Sequence, residues 1–166
     1  MCVEFVNILD VDGETVELVR NWRNNKKISR YMYTNHQINR EEHMNWINKL
    51  KTNNTAKAWI IKYDEKPIGL ATLSDIDYQS KITDWGFYIA NESYRGKGLG
   101  EKSLKKLMKI VFDEMKFKTM NTKVLDNNPV AMNLYEKLGF KKTDILNETL
   151  IRDGEKVKIV SMSISK

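Results

Sequence analysis

Arg95-Gly96-Lys97-Gly98-Leu99-Gly100 is the stretch whose residue types and spacing best suit a chemical task. Glycines at alternate positions let the backbone adopt positive φ and come close to a bound group, while Arg95 and Lys97 add positive charge. A strand, read over Trp85–Ala90, leads into this segment, and an amphipathic helix leaves it. Such a junction leaves unpaired N–H groups at the positive end of a helix dipole, which favours an anion and especially a phosphate. The Walker A pattern needs G-x-x-x-x-G-K followed by Ser or Thr, and it is absent. The dinucleotide fingerprint G-x-G-x-x-G does not match the G-x-G-x-G spacing found here. On these residues alone, a glycine-rich loop without a ligand is the alternative reading.

The elements that must position this segment follow from hydrophobic periodicity. Val3, Phe5 and Ile8 suggest a first strand, and Asp12 is the expected N-cap of a helix carrying Leu18, Val19 and Trp22 and ending near Asn24-Asn25. Ser29–Gln37, with Tyr31, Tyr33 and His36, has no clear period and reads as a loop or short helix near a site. Met44, Ile47 and Leu50 mark a second helix over Arg40–Lys51. Ala58–Tyr63 and Ile68–Ser74 read as strands joined by the Asp64-Glu65-Lys66-Pro67 turn, with a third strand over Lys81–Ala90. After the glycines, Leu104, Leu107, Met108, Val111 and Met115 form one helical stripe. Lys102, Lys105, Lys106 and Lys109 lie mostly opposite it, as a solvated face. Thr122–Leu125 is a short strand and Pro129–Leu138 a helix stopped at Gly139. Phe140–Leu146 and Val157–Ile164 are the last strands, joined through the Asp153-Gly154 turn. The order β-α-α-β-β-β-α-β-α-β-β predicts one α/β (α+β) domain over residues 1–166, with a mixed, mainly antiparallel sheet flanked by helices. An exposed edge at Val157–Ile164 would permit a homodimer.

Composition bounds the function. The chain has 166 residues, 41% hydrophobic and 30% charged, an ordinary globular balance. Its formal net charge of +6 favours anionic partners. No run of five like charges concentrates that excess, which argues against a nucleic-acid surface. Cys2 is the sole cysteine, so neither an internal disulfide nor a cysteine-pair metal site is possible. No stretch approaches the roughly 18 apolar residues of a membrane span, and the start lacks the pattern of a signal peptide. A cytoplasmic protein that binds no metal, membrane or nucleic acid is expected.

Two motifs together resemble those of the GCN5-related N-acetyltransferase (GNAT) superfamily. Arg95, Gly98 and Gly100 match the family's pattern of Arg or Gln, two residues, Gly, one residue, then Gly or Ala. The second marker stands as Asn128-Pro129-Val130-Ala131-Met132-Asn133-Leu134-Tyr135-Glu136-Lys137-Leu138-Gly139-Phe140. The resemblance implies the GNAT fold and direct transfer of acetyl from acetyl-CoA to an amine. It places the pyrophosphate on Arg95, Gly96, Lys97, Gly98, Leu99 and Gly100. The pantetheine arm would run along the backbone of Tyr88, Ile89 and Ala90 and contact Asn128. Tyr135 would be the acid that protonates the departing thiolate, since a phenol of pKa about 10 is protonated at neutral pH. Asp84 is the candidate base, with proton relay through water as the alternative.

The N-terminal half adds Trp22-Arg23-Asn24, Ile28-Ser29-Arg30-Tyr31-Met32 and Glu41-Glu42-His43-Met44. This combination is similar to the bacterial GNAT branch that acetylates the 4-amino group of a UDP-linked amino sugar in the pseudaminic acid pathway. By that likeness Arg23, His43, Ser74 and Tyr88 would line a nucleotide-sugar pocket, with Thr72 near the amine. Arg23 suits a phosphate or a uracil carbonyl through its planar fork. Asp75 stands where this branch leads one to expect a basic residue. Arg23 as a helix-end salt bridge or carbonyl cap, and His43 as a boundary residue of its helix, are equally open readings. A polyamine or a protein N-terminus is the alternative acceptor, and a non-catalytic acyl-CoA-binding regulator the alternative class.

Overall fold

The structure is a computed structural model that describes residues 2–166. Short-range capping sets most element starts. Asp12 accepts hydrogen bonds from the backbone N–H (2.8 Å) and hydroxyl (2.7 Å) of Thr15, opening helix α1 (Gly13–Asn24). A single turn, α2 (Lys26–Ser29), follows and ends where the stretch read as a loop or short helix begins. Asn39 caps α3 (Arg40–Thr52) through the Glu42 N–H. The connection between α2 and α3 is irregular, and α1 pins its far end, where Arg20 and Asn24 both donate to the Ile38 carbonyl.

The strands are β1 (Val3–Asn7), β2 (Lys57–Tyr63), β3 (Lys66–Asp77), β4 (Ile82–Ile89), β5 (Thr119–Leu125), β6 (Lys141–Arg152) and β7 (Glu155–Ser165). They form one seven-stranded sheet in the order β1-β2-β3-β4-β5-β7-β6. Every neighbouring pair is antiparallel except β4 and β5. The β2–β3 turn forms at Asp64 and Glu65, both at positive φ.

One expectation is overturned here. Val157–Ile164 is not an edge, because β7 lies between β5 and β6, and the free edges are β1 and β6. The residues explain it: Val157, Ile159, Val160 and Met162 are all buried, whereas β6 is exposed along nearly its whole length. An edge strand tolerates polar residues on both faces, and an interior one does not.

Two helical layers cover the sheet. On one face, α4 (Leu99–Lys109) and α5 (Pro129–Lys137) pack with Leu73, Trp85, Met120, Val124, Val160 and Met162. On the other, α1 and α3 cover Ala58, Ile60, Leu70 and the ring of Tyr88. The stripe predicted to run unbroken to Met115 leaves regular geometry at Ile110–Glu114, a π-helical turn in which the Met115 N–H reaches the Ile110 carbonyl. No helix among the described residues is long and apolar enough to cross a membrane.

Candidate active site

The site is organised by a place where the sheet opens. β4 and β5 pair only from Ile82 opposite Thr119 to Asp84 opposite Asn121, although both strands continue past that point. From Trp85 onward the β5 side of β4 has no strand partner. The buried Thr122 hydroxyl donates to the Trp85 carbonyl at 2.9 Å, at the start of the divergence. Beyond it, the β4 backbone from Phe87 to the Ile89 N–H is an open ladder edge suited to an extended amide-bearing chain, whereas the Ala90 N–H is spent on the Ile68 carbonyl at 2.7 Å, so the edge expected over Tyr88–Ala90 starts at Phe87 and excludes Ala90. Gly69 shapes this edge from the other side. A Cβ there would lie 2.0 Å from the Tyr88 carbonyl oxygen, so only glycine fits. An isolated glycine inside a strand signals close backbone approach. Sequence reading passed over it.

The glycine segment follows directly. Gly96 and Gly98 both have φ of +74°, and Gly98 is the N-cap of α4 with no side-chain cap. A Cβ at Gly100 would meet Leu134 at 3.7 Å and Phe87 at 3.8 Å, ordinary van der Waals contact, so α4 passes close to α5 and β4 here. The first-turn amides of α4 therefore face outward uncapped, as an anion cradle requires. Glu101 sits in that first turn, where its charge would repel an anion. Hydrogen bonds and charge from Lys137 and Lys105 hold its pKa down at about 2 and compensate that charge. Arg95 turns back and donates to the Ile89 carbonyl at 3.2 and 3.3 Å, tying the loop to β4. Lys97 lies over the Tyr94 ring, 5.7 Å from its centroid.

On the same face, Asn128 caps α5 by accepting from the Ala131 N–H, with Pro129 in the first helical turn. The helix carries Tyr135 onto β4, where its ring meets Trp85 edge-on at 4.9 Å and lies 6.4 Å from Phe87. Burial among these rings pushes the phenol pKa well above its ordinary value, so the hydroxyl stays protonated. It makes no hydrogen bond to any described residue and is free to donate.

The remaining predicted residues gather on the opposite face. Alternation along β3 and β4 places Thr72, Ser74, Asp84, Gly86 and Tyr88 on the α1/α3 side, away from Trp85 and Phe87. Thr72 donates to the Gly86 carbonyl at 3.4 Å, and Ser74 is exposed opposite Asp84. The Asp84 carboxyl is raised above the usual range, first by burial and then by Asp75, with Lys123 opposing. Asp75 sits at a bulge between Ser74 and Asp77 with φ of +47°. Tyr88 has a buried hydroxyl without a partner, and Trp22 packs edge-on against its ring. Arg23 is close enough to act on it electrostatically. Burial lowers Arg23 itself, which bonds to the Thr34 carbonyl and hydroxyl and forms no salt bridge among the described residues.

His43 is not brought to this group as a free ligand. It is buried, and its Nε2–H donates to the Val16 carbonyl at 2.8 Å, clamping α3 to α1. The substrate-lining role expected for it gives way to this structural one. Lys123 and Thr122 had no local signature and emerge only from strand pairing.

The family model for the acetyltransferase (GNAT) domain matches residues 9–141. The acetyltransferase PseH of Campylobacter jejuni subsp. jejuni serotype O:23/36 is 26% identical over 138 residues, covering 83% of this chain and 84% of that protein. The spermidine N(1)-acetyltransferase of Vibrio cholerae is 25% identical over 150 residues, covering 90% and 86%. A crystal structure of spermidine N-acetyltransferase from Vibrio cholerae, in complex with CoA and spermine, superposes with a TM-score of 0.88. It is 21% identical and covers 98% of this chain and 95% of that one.

Proposed function

The chain belongs to the GNAT acetyltransferase family, and on that footing we propose that it acetylates the 4-amino group of a nucleotide-linked amino sugar. Family membership makes acetyl-CoA the acetyl donor, and the residues present fit it: an uncapped helix start at Gly98 lies beside an open β4 edge. Coenzyme A supplies the activated thioester. The first-turn amides of α4 hold the pyrophosphate, the Phe87–Ile89 backbone pairs with the pantetheine amides, and Asn128 borders that arm.

The acetyl group must then lie where β4 and β5 part, since the donor and acceptor faces communicate there. An acceptor amine attacks only when neutral, and Asp84, last in the paired register, takes its proton directly or through water. A backbone N–H near the end of β4 stabilises charge developing on the thioester oxygen. Tyr135 donates its phenolic proton to the leaving sulfur.

The observation that carries the nucleotide-sugar reading is the pairing of Arg23, without a carboxylate partner, and the orphan Tyr88 hydroxyl. A guanidinium without a carboxylate and a hydroxyl without a partner suit an acceptor-rich ligand, such as a diphosphate or a uracil carbonyl. The similarity to PseH supports the same reading. A second reading, a polyamine acceptor, draws on the Asp75–Asp84 carboxyl pair and on the similarity to the spermidine enzymes. The discriminating experiment is free-thiol release from acetyl-CoA with UDP-4-amino sugars, polyamines and peptides. Turnover highest with the nucleotide sugars is expected; turnover confined to polyamines or peptides overturns the proposal.

A further inference from the structure

The connection between α2 and α3 crosses the acceptor face, and side chains from the far half of the chain grip its backbone. Asn127 donates from Nδ2 to the Arg30 carbonyl at 3.1 Å. Arg152, the last residue of β6, donates from Nη2 to the carbonyls of Met32 and Tyr33, both at 2.8 Å, and from Nη1 to the Ile151 carbonyl at 2.8 Å. The Tyr33 hydroxyl donates to Glu148 at 2.6 Å, and Lys123 lies over the Tyr33 ring. Arg30 forms an ion pair with Asp153 in the β6–β7 turn.

Arg152 differs from the others in its setting. It is 8% exposed, has no carboxylate partner among the described residues, and its Nε is buried without an acceptor. A cation held away from water without a counter-charge is costly unless several dipoles solvate it. The carbonyls of residues 32 and 33 do so, together with that of Ile151. The planar guanidinium reaches all three at once, and a lysine ammonium at the end of its single stem does not match that fork. The next residue, Thr34, accepts from Arg23 through both its carbonyl and its hydroxyl. Arg152 and Arg23 thus hold three consecutive residues, Met32, Tyr33 and Thr34.

We propose that Arg152 is a positioning residue for acceptor specificity: by fixing the Met32 and Tyr33 carbonyls it sets Thr34, and through Thr34 the place of the Arg23 guanidinium. The kinetic half of this proposal rests on the acceptor reading given above for Arg23, whereas the structural half does not. The test uses the full chain with Arg152→Lys, which keeps the charge, and Arg152→Met, which keeps apolar bulk. Amide hydrogen exchange over residues 31–36 should accelerate at least tenfold in both variants, with α4 and α5 unchanged. Acceptor KM should rise about tenfold, the scale of one lost charge-assisted hydrogen bond, while acetyl-CoA KM and kcat stay within about twofold. Unchanged exchange over 31–36 in the folded Arg152→Lys protein overturns the latch. Equal rises in both KM values overturn a specific effect on the acceptor and leave a general loss of structure. If the unaltered chain acetylates none of the nucleotide sugars, the acceptor reading fails on its own, and hydrogen exchange still decides the latch.

Discussion

The two faces of the sheet around β4 are built by different means. On the α4/α5 face the working parts are backbone groups: uncapped amides after Gly98, an open ladder edge at Phe87–Ile89, and a helix start capped by Asn128. On the α1/α3 face the working parts are side chains placed by long-range contacts, such as Arg23 on Thr34 and Arg152 on Met32 and Tyr33. Backbone devices depend on turn and cap residues close by in sequence, whereas the side-chain devices depend on contacts between distant parts of the chain. Substitutions on the two faces should therefore separate donor effects, acceptor effects and chemistry.

The largest effect is expected at the junction of the faces. Tyr135→Phe should lower kcat about a hundredfold, the lower range for loss of a positioned acid. Acetyl-CoA KM and Tm should barely move, since the hydroxyl makes no hydrogen bond in the fold; stopped-assay kinetics and a melting curve check both. Gly69→Ala comes next. Its Cβ would stand 2.0 Å from the Tyr88 carbonyl oxygen, and the strand shift should cost about 2–4 kcal/mol in a denaturant titration, in the range of strongly destabilising substitutions. Gly98→Ala forces a side chain into the left-handed region at a cost of about 1–2 kcal/mol. We expect acetyl-CoA KM to rise roughly tenfold with acceptor KM unchanged; a matched rise in acceptor KM would break the separation of the faces.

The smallest effect concerns pH. The Asp84 carboxyl is raised, so as a base it is lost as pH falls through a value above the ordinary carboxylate range. Asp75→Asn removes a neighbouring negative charge and should move the acid limb of kcat/KM to lower pH by less than about one unit. Because burial is the first cause of the shift, the limb should still lie above the ordinary value. A limb that does not move removes Asp75 from the account.

The same contrast explains what could be read from the sequence. Asp12, Asn128 and Gly139 act within a few residues of themselves, so helix starts and stops were legible, as was the glycine cradle. The place of β7 was encoded too, in its run of Val157, Ile159, Val160 and Met162 against the polar β6, but telling edge from interior requires comparing two strands. Gly69 carried a signal that a strand interior should have raised. Arg152 carried none: before an Asp-Gly turn it reads as an exposed hairpin residue, and its burial arises only when residues 30–33 fold over from the other half of the chain. His43 shows the converse, a residue type suited to chemistry that packing commits to the Val16 carbonyl.

The central claim is that donor and acceptor occupy opposite faces and meet where β4 and β5 part. Backbone amide chemical-shift mapping with coenzyme A alone tests it most directly. Coenzyme A is expected to shift the amides of Phe87–Ile89, Gly96–Glu101, Asn128, Val130 and Ala131, with Arg23, Tyr33 and Thr34 unmoved. Shifts centred on α1, α3 and residues 31–36, with the start of α4 silent, would contradict it.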